Sequence, residues 1–565
     1  MSFVCPVNDQ RLVLNHVVRI AELSKSNRFA EATSDTVDAV VEAAAEFAQG
    51  ELAPLNDVGD RHASRWDNGA VTTPPGFREA YAKFVEGGWM GLSASVEAGG
   101  QGLPNALSAA MMEDFNAANV SFALCPMLGL GAVEAIEVHG SDDLKRDYLP
   151  KIVSGEWTAT MNLTEPQAGS DVGALKSRAV PAGDGSWRIS GTKIFITYGE
   201  HDLTDNIIHM VLARTPGAPE GTKGISLFLV PKVLPDGGAN DLHCVSIEHK
   251  MGIHASPTCV MAYGEDGGAT GWLVGPENGG MRAMFTMMNN ARLNVGLQGV
   301  GLAERATQRA VAYALDRKQG QRNGLPMTIA EHPDVRRMLV RMRALTMAAR
   351  ALAYYAFGQA DRGALGDREA GLRADVVTPL VKAWCTDVGC EVTNLGIQVH
   401  GGMGFIEETG AAQHLRDARI APIYEGTNGI QAADFVQRKI GLDDGAALDA
   451  LFADIRAEAQ HEELIALTDE VEVLVATARN SPPDDRLTGS YPLMTMMAVL
   501  TAGWLMERLG RAIDAGEGQG ESANAGRRAA IEYFLSVVVP EALGLGAGAE
   551  ARAELLYRAP AEELA

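Results

Sequence analysis

Apolar residues recur at helical spacing through the first ~155 residues of the chain, in residues 35–50, 77–85 and 106–118. Turn-rich stretches such as residues 96–104 (VEAGGQGLP) separate them. Residues three and four apart share one face of an α-helix, so this pattern predicts a helical N-terminal region.

The pattern changes near residue 157. Short segments rich in β-branched residues follow, including WRISGTKIFIT, NIIHMVLAR and GISLFLVPK, and Gly, Pro and Asp clusters bound them. This is typical of antiparallel strands. The helical period returns after residue 280, with long runs at residues 283–318, 333–361, 373–399 and 411–440, which predicts a bundle.

The expected fold is therefore mixed α and β and mostly α, with an extra helical tail split by a loop at residues 480–491. The predicted parts are an N-terminal extension (1–34), an N-terminal helical domain (35–156), a central antiparallel β domain (157–275), a C-terminal helical bundle (280–441) and an additional helical domain (442–565).

Charge and composition restrict the class of protein. The net charge of -24 and pI near 5.0 disfavour broad nucleic-acid binding, although a local Arg can still hold a ligand phosphate. Six scattered cysteines without zinc-ligand spacing favour a reducing compartment. The N-terminus lacks a signal-peptide pattern, and residues 492–505 are too short to span a bilayer, so we expect a cytoplasmic protein with no membrane span.

Four short segments carry candidate chemistry; one is predicted to lie on a strand, residues 191–197, and the other three contain glycine-rich turns. They are residues 161–178 (MNLTEPQAGSDVGALKSR), 191–197 (GTKIFIT), 398–405 (QVHGGMGF) and 423–431 (IYEGTNGIQ). Small residues let backbone approach a flat polar ligand, and hydroxyls hydrogen-bond its edge. Taken singly, each also fits an ordinary role as a turn, a strand core, a helix C-cap or a structural histidine.

Glu425 lies in a Tyr-Glu-Gly-Thr turn that opens a helix, which Thr427 or Asn428 can cap. Its carboxylate fits either a capping or surface charge or a general base that projects into a cleft.

In their order along the chain, the four segments, with Arg292 and the RKQG of residues 317–320 among them, resemble the acyl-CoA dehydrogenase family. The resemblance covers residue 35 to about residue 441. It implies an N-terminal helical domain, a central β domain and a four-helix C-terminal domain, with FAD between the last two.

The resemblance also implies the FAD contacts. Phe195 and Thr197 stand where the family usually has Trp and Thr against the flavin ring, so the apolar face is kept and the indole N–H is lost. Arg317 resembles an arginine that binds the FAD diphosphate across a dimer interface, which implies a homodimer or a dimer of dimers. Gln319-Gly320 lacks the aromatic of the common family form. The implied FAD set is Met161, Leu163, Thr164, Gly169, Ser170, Phe195, Thr197, Arg317, Gln319, Gln398, Gly401, Gly402, Thr427 and Gly429.

Glu425 falls on the position of the family's usual catalytic base. Branches with the base elsewhere carry it directly before the arginine matched by Arg292, and here that residue is Ala291, which cannot act as a base. The resemblance implies that Glu425 removes the α-proton of an acyl-CoA while a β-hydride passes to the flavin. The resemblance further implies that FAD and the glutamate's backbone N–H would polarise the thioester carbonyl. The implied substrate contacts are Ser170, Asn289, Arg292 and Gly426, and no metal is expected.

The opening PVNDQRLVLNHVVRI, the wide N-terminal spacing and the tail make this chain longer than a standard family member. These features resemble a larger bacterial branch, the 3-methylmercaptopropionyl-CoA dehydrogenase type. The branch implies 3-(methylthio)propanoyl-CoA or another short- or medium-chain acyl-CoA as substrate and an electron-transferring flavoprotein as acceptor. A longer-chain fatty acyl-CoA dehydrogenase, an acyl-CoA oxidase and a flavin- and DNA-binding relative without dehydrogenase activity are the alternatives.

Overall fold

The computed structural model describes residues 3–518 and 520–565. Residues 1, 2 and 519, which fall in the predicted N-terminal extension and tail, lie outside the described residues. Helices make up 62% of the structure, which confirms the mixed, mostly α fold class.

The α-helices of the described residues are numbered in chain order. They are α1 (Val7–Val13), α2 (Ile20–Leu23), α3 (Ser34–Phe47), α4 (Leu55–His62), α5 (Phe77–Glu86), α6 (Asn105–His139), α7 (Asp142–Val153), α8 (Gly280–Asp316), α9 (Pro333–Ala364), α10 (Arg368–His400), α11 (Ala411–Ala418), α12 (Asn428–Asp434), α13 (Ala446–Glu458), α14 (Glu462–Asn480), α15 (Pro483–Thr488), α16 (Ser490–Asp514), α17 (Glu521–Tyr533), α18 (Val539–Leu543), α19 (Gly546–Ala549) and α20 (Ala553–Leu556).

The strands are numbered in the same way. They are β1 (Arg65–Asp67), β2 (Ala70–Thr72), β3 (Thr158–Asn162), β4 (Arg178–Pro181), β5 (Trp187–Thr197), β6 (Ile207–Arg214), β7 (Ile225–Pro231), β8 (Leu242–Ile247), β9 (Thr258–Tyr263), β10 (Ala269–Val274), β11 (Lys318–Arg322) and β12 (Leu325–Thr328).

The chain forms two compact units that are not continuous in sequence. The helical unit contains the described parts of Met1–Ala45, Pro104–Ala117 and Arg292–Ala565, and the mixed unit contains Glu46–Leu103 and Ala118–Ala291. The units therefore do not follow the chain order of the predicted domains, whose boundaries remain predictions.

The mixed unit is built on an eight-stranded sheet in the order β10-β7-β6-β4-β5-β9-β8, with β3 paired to β6. Its core is apolar and includes Ile189, Val211, Phe228 and Met261. Most strand pairings are antiparallel, as predicted, but the sheet is mixed, because β3 runs parallel to β6 from Thr158 opposite Ile207. The long connection through β4 and β5 allows this parallel pairing, and residue alternation does not encode strand direction.

Two hairpins interrupt regions that were predicted to be helical, β1–β2 and β11–β12. Each turns at an Asn-Gly pair with positive φ at both residues, Asn68-Gly69 and Asn323-Gly324. Asn and Gly tolerate the left-handed conformation that tight hairpins require, so this pair was the available signal.

Helices α9 and α10 match the predicted runs, whereas the run at residues 411–440 is not one continuous helix but is interrupted at the turn that the sequence predicts around Glu425. It is divided into α11, a turn and α12, followed by a π-helical stretch, Phe435–Lys439. The turn carries Gly426 in a left-handed conformation, which a continuous helix cannot contain. The predicted loop at residues 480–491 contains the short helix α15.

Helix α6 is the one helix in the described residues that is long and apolar enough to cross a membrane, with a mean hydropathy of 1.5 over its most apolar window. That window is 94% buried inside the protein, as expected for a core helix. In the tail, the apolar face of α16 is likewise buried.

A buried charge cluster joins distant parts of the helical unit. Arg350 on α9 contacts Glu113 at 2.6 Å and Glu304 at 2.7 Å. Asp9 on α1 contacts Arg527 of the tail at 2.8 Å and approaches Arg350 at 3.6 Å. The N-terminal extension and the tail are thereby tied to the same bundle.

Candidate active site

The turn between α11 and α12 places Glu425 in an unusual backbone conformation. Glu425 has φ 56° and Gly426 has φ 81°, so two consecutive residues are left-handed. A non-glycine residue there carries strain that its surroundings must maintain, and such strain clusters at functional sites. The φ of Gly426 favours glycine, and a Cβ there would also lie 2.8 Å from Gln431 Nε2 and displace this amide.

Side chains on the following helix hold the turn. Gln431 Nε2 donates to the carbonyl oxygens of Glu425 at 3.3 Å and Gly426 at 3.4 Å. The Thr427 hydroxyl accepts from the Ile430 N–H at 3.2 Å, so Thr427 is the N-cap of α12, one of the two predicted caps. The orientation of Glu425 is therefore fixed from its C-terminal side.

The N-terminal side of the turn is also anchored. The Tyr424 hydroxyl donates to Gln298 of α8, and the Asn428 N–H donates to the Pro422 carbonyl at 2.9 Å. The turn is thus closed on itself and attached to the bundle, so the strained residues are held on a rigid support.

The environment of Glu425 favours proton transfer near neutral pH. Burial raises the pKa of Glu425 to about 7, and the positive charges of Arg292 and Lys382, which lower it, offset only part of this effect. A carboxylate poised there suits a general base. The side chain of Arg292 is 7% exposed, and its Nη1 lies 3.9 Å from Asp434. Burial lowers the pKa of Arg292.

In the mixed unit, residues 161–178 form the end of β3 and a loop. Met161 is buried, Leu163 and Thr164 are half-buried, and Gly169 and Ser170 are exposed. The loop is anchored by Glu165, which accepts from Lys193 at 2.8 Å and from the backbone N–H groups of Lys176 and Ser177. Burial raises the pKa of Glu165, but Lys193 and these hydrogen bonds outweigh it and hold the pKa at about 2.

The segment GTKIFIT lies on β5 at a β-bulge. The register with β9 shifts between Lys193 and Ile196, and Phe195 takes φ 60° with 58% of its surface exposed. Bulges of this kind redirect a side chain away from the regular alternation. The bulge presents Phe195 to solvent, while Thr197 at the end of the strand is half-buried.

The remaining predicted residues lie at helix ends. Arg317 and Gln319 follow α8, and Gln398, Gly401 and Gly402 mark the end of α10; all five are exposed. Gly401 has φ 59°, which favours glycine there. Gly429, on α12, is also exposed, and Asn289, on α8, is half-buried. The structure thus brings Arg292 close to the turn formed by Glu425, Gly426 and Thr427. Each of the remaining predicted site residues lies in either the helical unit or the mixed unit.

Sequence reasoning missed several side chains around the turn that carries Glu425. Lys382 on α10 is completely buried and donates to Asn428 at 2.9 Å. A lone lysine inside the apolar run LVKAWC was the available signal, because buried lysines need a partner. Nothing in the sequence around Gln298 indicated its contact with Tyr424.

Models of known families match most of the chain. The N-terminal, middle and C-terminal domains of acyl-CoA dehydrogenase match residues 34–156, 160–264 and 278–440. The chain is also 46% identical over 536 residues to 3-methylmercaptopropionyl-CoA dehydrogenase of Ruegeria pomeroyi, which covers 89% of this chain and 90% of the relative. The chain belongs to the acyl-CoA dehydrogenase family.

Two further comparisons agree with this family assignment. A butyryl-CoA dehydrogenase of Syntrophomonas wolfei is 39% identical over 444 residues, which cover 74% of this chain and 73% of that protein. A crystal structure of an acyl-CoA dehydrogenase complexed with FAD, from Bacillus anthracis, matches with a TM-score of 0.76 at 23% identity. It covers 94% of this chain and 91% of that one, so it shares the fold.

Family membership confirms the predicted enzyme class, an oxidoreductase of the acyl-CoA dehydrogenase type. Acyl-CoA dehydrogenases are FAD-dependent, which confirms the predicted cofactor. The tail of this acyl-CoA dehydrogenase has a family match of its own, an acetyl-CoA dehydrogenase C-terminal-like domain at residues 431–560.

Proposed function

We propose that this acyl-CoA dehydrogenase converts 3-(methylthio)propanoyl-CoA, or another short- or medium-chain acyl-CoA, to the 2,3-enoyl-CoA, and that an electron-transferring flavoprotein accepts the electrons. The support is the 46% identity with the Ruegeria pomeroyi enzyme over nine-tenths of that protein. The butyryl-CoA name of the Syntrophomonas wolfei relative also favours a short acyl chain.

The observation that carries the proposal is the state of Glu425. Its backbone is held in a left-handed turn, and burial raises its pKa to about 7. In the proposed reaction Glu425 takes the α-proton of the thioester as a general base. The fixed turn directs the carboxylate, and the nearby Arg292 charge stabilises its ionised form before the proton is transferred.

The residues present fit FAD, although its contacts remain proposals. The exposed ring of Phe195 on a strained bulge offers an apolar surface to a flat ring system. The position of a Cβ at Gly169 is open, with no atom within 4 Å, so a ligand can approach the loop backbone. The exposed guanidinium of Arg317 suits a diphosphate. Bound FAD supplies the hydride acceptor.

The proposed substrate contacts are the exposed Ser170, the half-buried Asn289, and Arg292 with Gly426 at the turn. Arg292 Nη2 lies 4.0 Å from the position of a Cβ on Gly426, so its charge lies directly beside the catalytic turn. Because its side chain is only 7% exposed, we expect Arg292 to act on the charge of the turn and on the part of the substrate nearest to it.

The test is anaerobic titration of the purified holoenzyme with 3-(methylthio)propanoyl-, butyryl- and octanoyl-CoA while flavin absorbance is followed. We expect bleaching by the first two, fastest with the sulfur-containing ester. Failure of all three to reduce the flavin would contradict the proposal. Fastest reduction by octanoyl-CoA would assign the enzyme to medium-chain esters, and reduction by palmitoyl-CoA in preference to all three would favour the longer-chain alternative.

The Glu425→Gln variant tests the base. We expect normal FAD content and loss of flavin reduction by at least about 10³-fold, since proton removal then has no acceptor. Surviving reduction would show that another group is the base.

The electron acceptor is tested on the wild-type enzyme after reduction by acyl-CoA. Purified electron-transferring flavoprotein should reoxidise the flavin, whereas rapid peroxide formation in air without it would favour the oxidase alternative.

A further inference from the structure

The side-chain amide of Asn428 lies at the centre of a buried hydrogen-bond network next to the catalytic turn. Its Oδ1 accepts from Lys382 Nζ at 2.9 Å. Its Nδ2 donates to Thr386 Oγ1 at 3.0 Å and to Asp387 Oδ1 at 2.9 Å. Since an ammonium group only donates and a carboxylate only accepts, the amide has one possible orientation. Asn428 therefore couples Lys382 to Asp387.

Tyr491 connects this network to the C-terminal tail. Its hydroxyl donates to Asp387 Oδ2 at 2.5 Å. Tyr491 is the second residue of α16, which packs against α10 and α12. The start of α16 packs closely against α19, since a Cβ on the preceding Gly489 would lie only 2.0 Å from the Ala549 carbonyl oxygen. The tail thus holds this hydroxyl against the bundle.

Charge alternates along the network towards the catalytic turn. Burial raises the pKa of Asp387, but the hydrogen bond from Tyr491 opposes this and favours the carboxylate. Burial lowers the pKa of Lys382 to about 7, while Glu425 and Asp387 favour its ammonium form. That ammonium in turn favours the carboxylate of Glu425. Each group stabilises the charged form of the next.

Lys382 is suited to act on Glu425 because, among the residues that the structure describes, its hydrogen-bond partner is the neutral side-chain amide of Asn428. Arg292, the other cation near Glu425, approaches Asp434. A buried, unneutralised charge acts over a longer distance than one in water or in an ion pair.

We propose that Lys382 is a positioning residue for Glu425, held in place through Asn428 and Asp387 by the Tyr491 hydroxyl of the tail. The inference rests on the proposed role of Glu425 as the base. It gives the additional C-terminal domain a function in catalysis: it completes the support of the catalytic turn.

Other groups near Glu425 bear on any pH profile. The charged and titratable groups near the turn are Arg292 on α8, Lys382 and Asp387 on α10, Asp417 on α11 and Arg419 after it, Tyr424 in the turn, Asp434 on α12 and Arg438 after it. They stay unchanged in the variants below except for the group that is replaced.

The experiment compares the pH dependence of flavin reduction by saturating acyl-CoA in the wild type and in Lys382→Met and Tyr491→Phe. We expect the midpoint to move to higher pH by about one unit in Lys382→Met, because Glu425 loses a stabilising cation. Tyr491→Phe should move it in the same direction by less, since Asp387 then holds its charge less well. The limiting rate at high pH should stay within about tenfold of the wild type.

Matched controls separate this effect from loss of charge or of a hydroxyl elsewhere. Lys439→Met removes a lysine that lies 3.7 Å from Asp375, and Tyr557→Phe alters a tail tyrosine that is 77% exposed. Both should keep the wild-type midpoint. A Lys382→Met protein that fails to fold leaves Tyr491→Phe, a surface-accessible change, as the deciding variant.

A second readout does not need turnover. The melting-temperature difference between each variant and the same variant with Glu425→Gln reports the titration of Glu425 as pH changes. Wild-type midpoints in Tyr491→Phe and Lys382→Met by this measurement would overturn the inference. Absence of flavin reduction in the wild type would instead contradict the proposed function, and the melting measurement would still decide the role of Lys382.

Discussion

The ammonium of Lys193 donates a 2.8 Å hydrogen bond to Glu165, and both side chains are at most 3% exposed. Lys193 lies two residues before Phe195 on the β5 bulge, and Glu165 begins the loop that carries Gly169 and Ser170. One buried ion pair therefore joins the two segments proposed to contact the flavin ring.

Replacement of Lys193 by Met should loosen both segments. The substitution leaves the Glu165 carboxylate buried without its cation. Removing one partner of such a buried ion pair lowers the free energy of unfolding by about 3–5 kcal/mol. We expect a lower melting temperature and reduced FAD content, measured from the ratio of flavin to protein absorbance. Lys176→Met is the control, because Lys176 is exposed and contacts Glu165 through its backbone. Full flavin content in Lys193→Met would contradict the anchoring role.

Gly426→Ala should impair catalysis more than stability. The new Cβ would meet Gln431 Nε2 at 2.8 Å in a backbone with φ 81°, so the turn must shift and displace Glu425. Misplacement by about 1 Å can lower a rate by about 10²-fold, and we expect a loss of that size in stopped-flow flavin reduction.

Gly441→Ala is the matched control for this substitution, since φ is -102° there and no atom lies within 4 Å of the added carbon. Similar rates for the two variants would show that the conformation of the turn is unimportant.

The position of Glu425 in a turn before a capped helix was predictable, because Gly426 and Thr427 encode that local geometry directly. The left-handed backbone of Glu425 was not predictable, because glutamate has no intrinsic preference for left-handed φ and ψ values. Contacts of the turn with Gln298 and Gln431 hold it in this strained conformation. Tertiary contacts, not local sequence, select this conformation.

The supporting network was beyond sequence reasoning for a similar reason. Lys382, Asn428 and Tyr491 are far apart in the chain, and their contact depends on how α10, α12 and α16 pack. Helical periodicity assigns a residue to a buried face but not to a neighbour on another helix. The resemblance ended near residue 441, so it gave no indication that Tyr491 of the tail contacts Asp387 on α10.

Glu425→Gln should stabilise the protein in a pH-dependent manner. The folded-state pKa of Glu425 is raised from 4.5 to about 7, so its ionisation destabilises the fold increasingly as pH rises through that interval. Glutamine does not ionise and avoids this cost. The melting temperature of the variant should exceed that of the wild type by more at pH 8 than at pH 5.

The corresponding free-energy difference is about 1–3 kcal/mol after allowance for solvent screening of a half-buried group. Differential scanning calorimetry on the two holoenzymes measures it. A difference that does not change between pH 5 and pH 8 would show that the pKa of Glu425 is not raised in the folded enzyme.

Arg350→Met should destabilise the helical unit strongly. The Arg350 side chain is fully buried and contacts Glu113 and Glu304, whose side chains are at most 5% exposed. Removal of the guanidinium leaves both carboxylates buried without it, which costs about 3–5 kcal/mol. The expected result is a melting temperature lower by several degrees, or loss of soluble protein.

Arg337→Met on the same helix provides the comparison. Arg337 is 52% exposed and paired with Asp334, which is 75% exposed, so we expect a change within about 0.5 kcal/mol. A Glu113→Gln change added to Arg350→Met should recover part of the loss, because it removes one of the uncompensated charges. Equal effects of the Arg350 and Arg337 variants would show that the buried cluster contributes no more to stability than a surface ion pair.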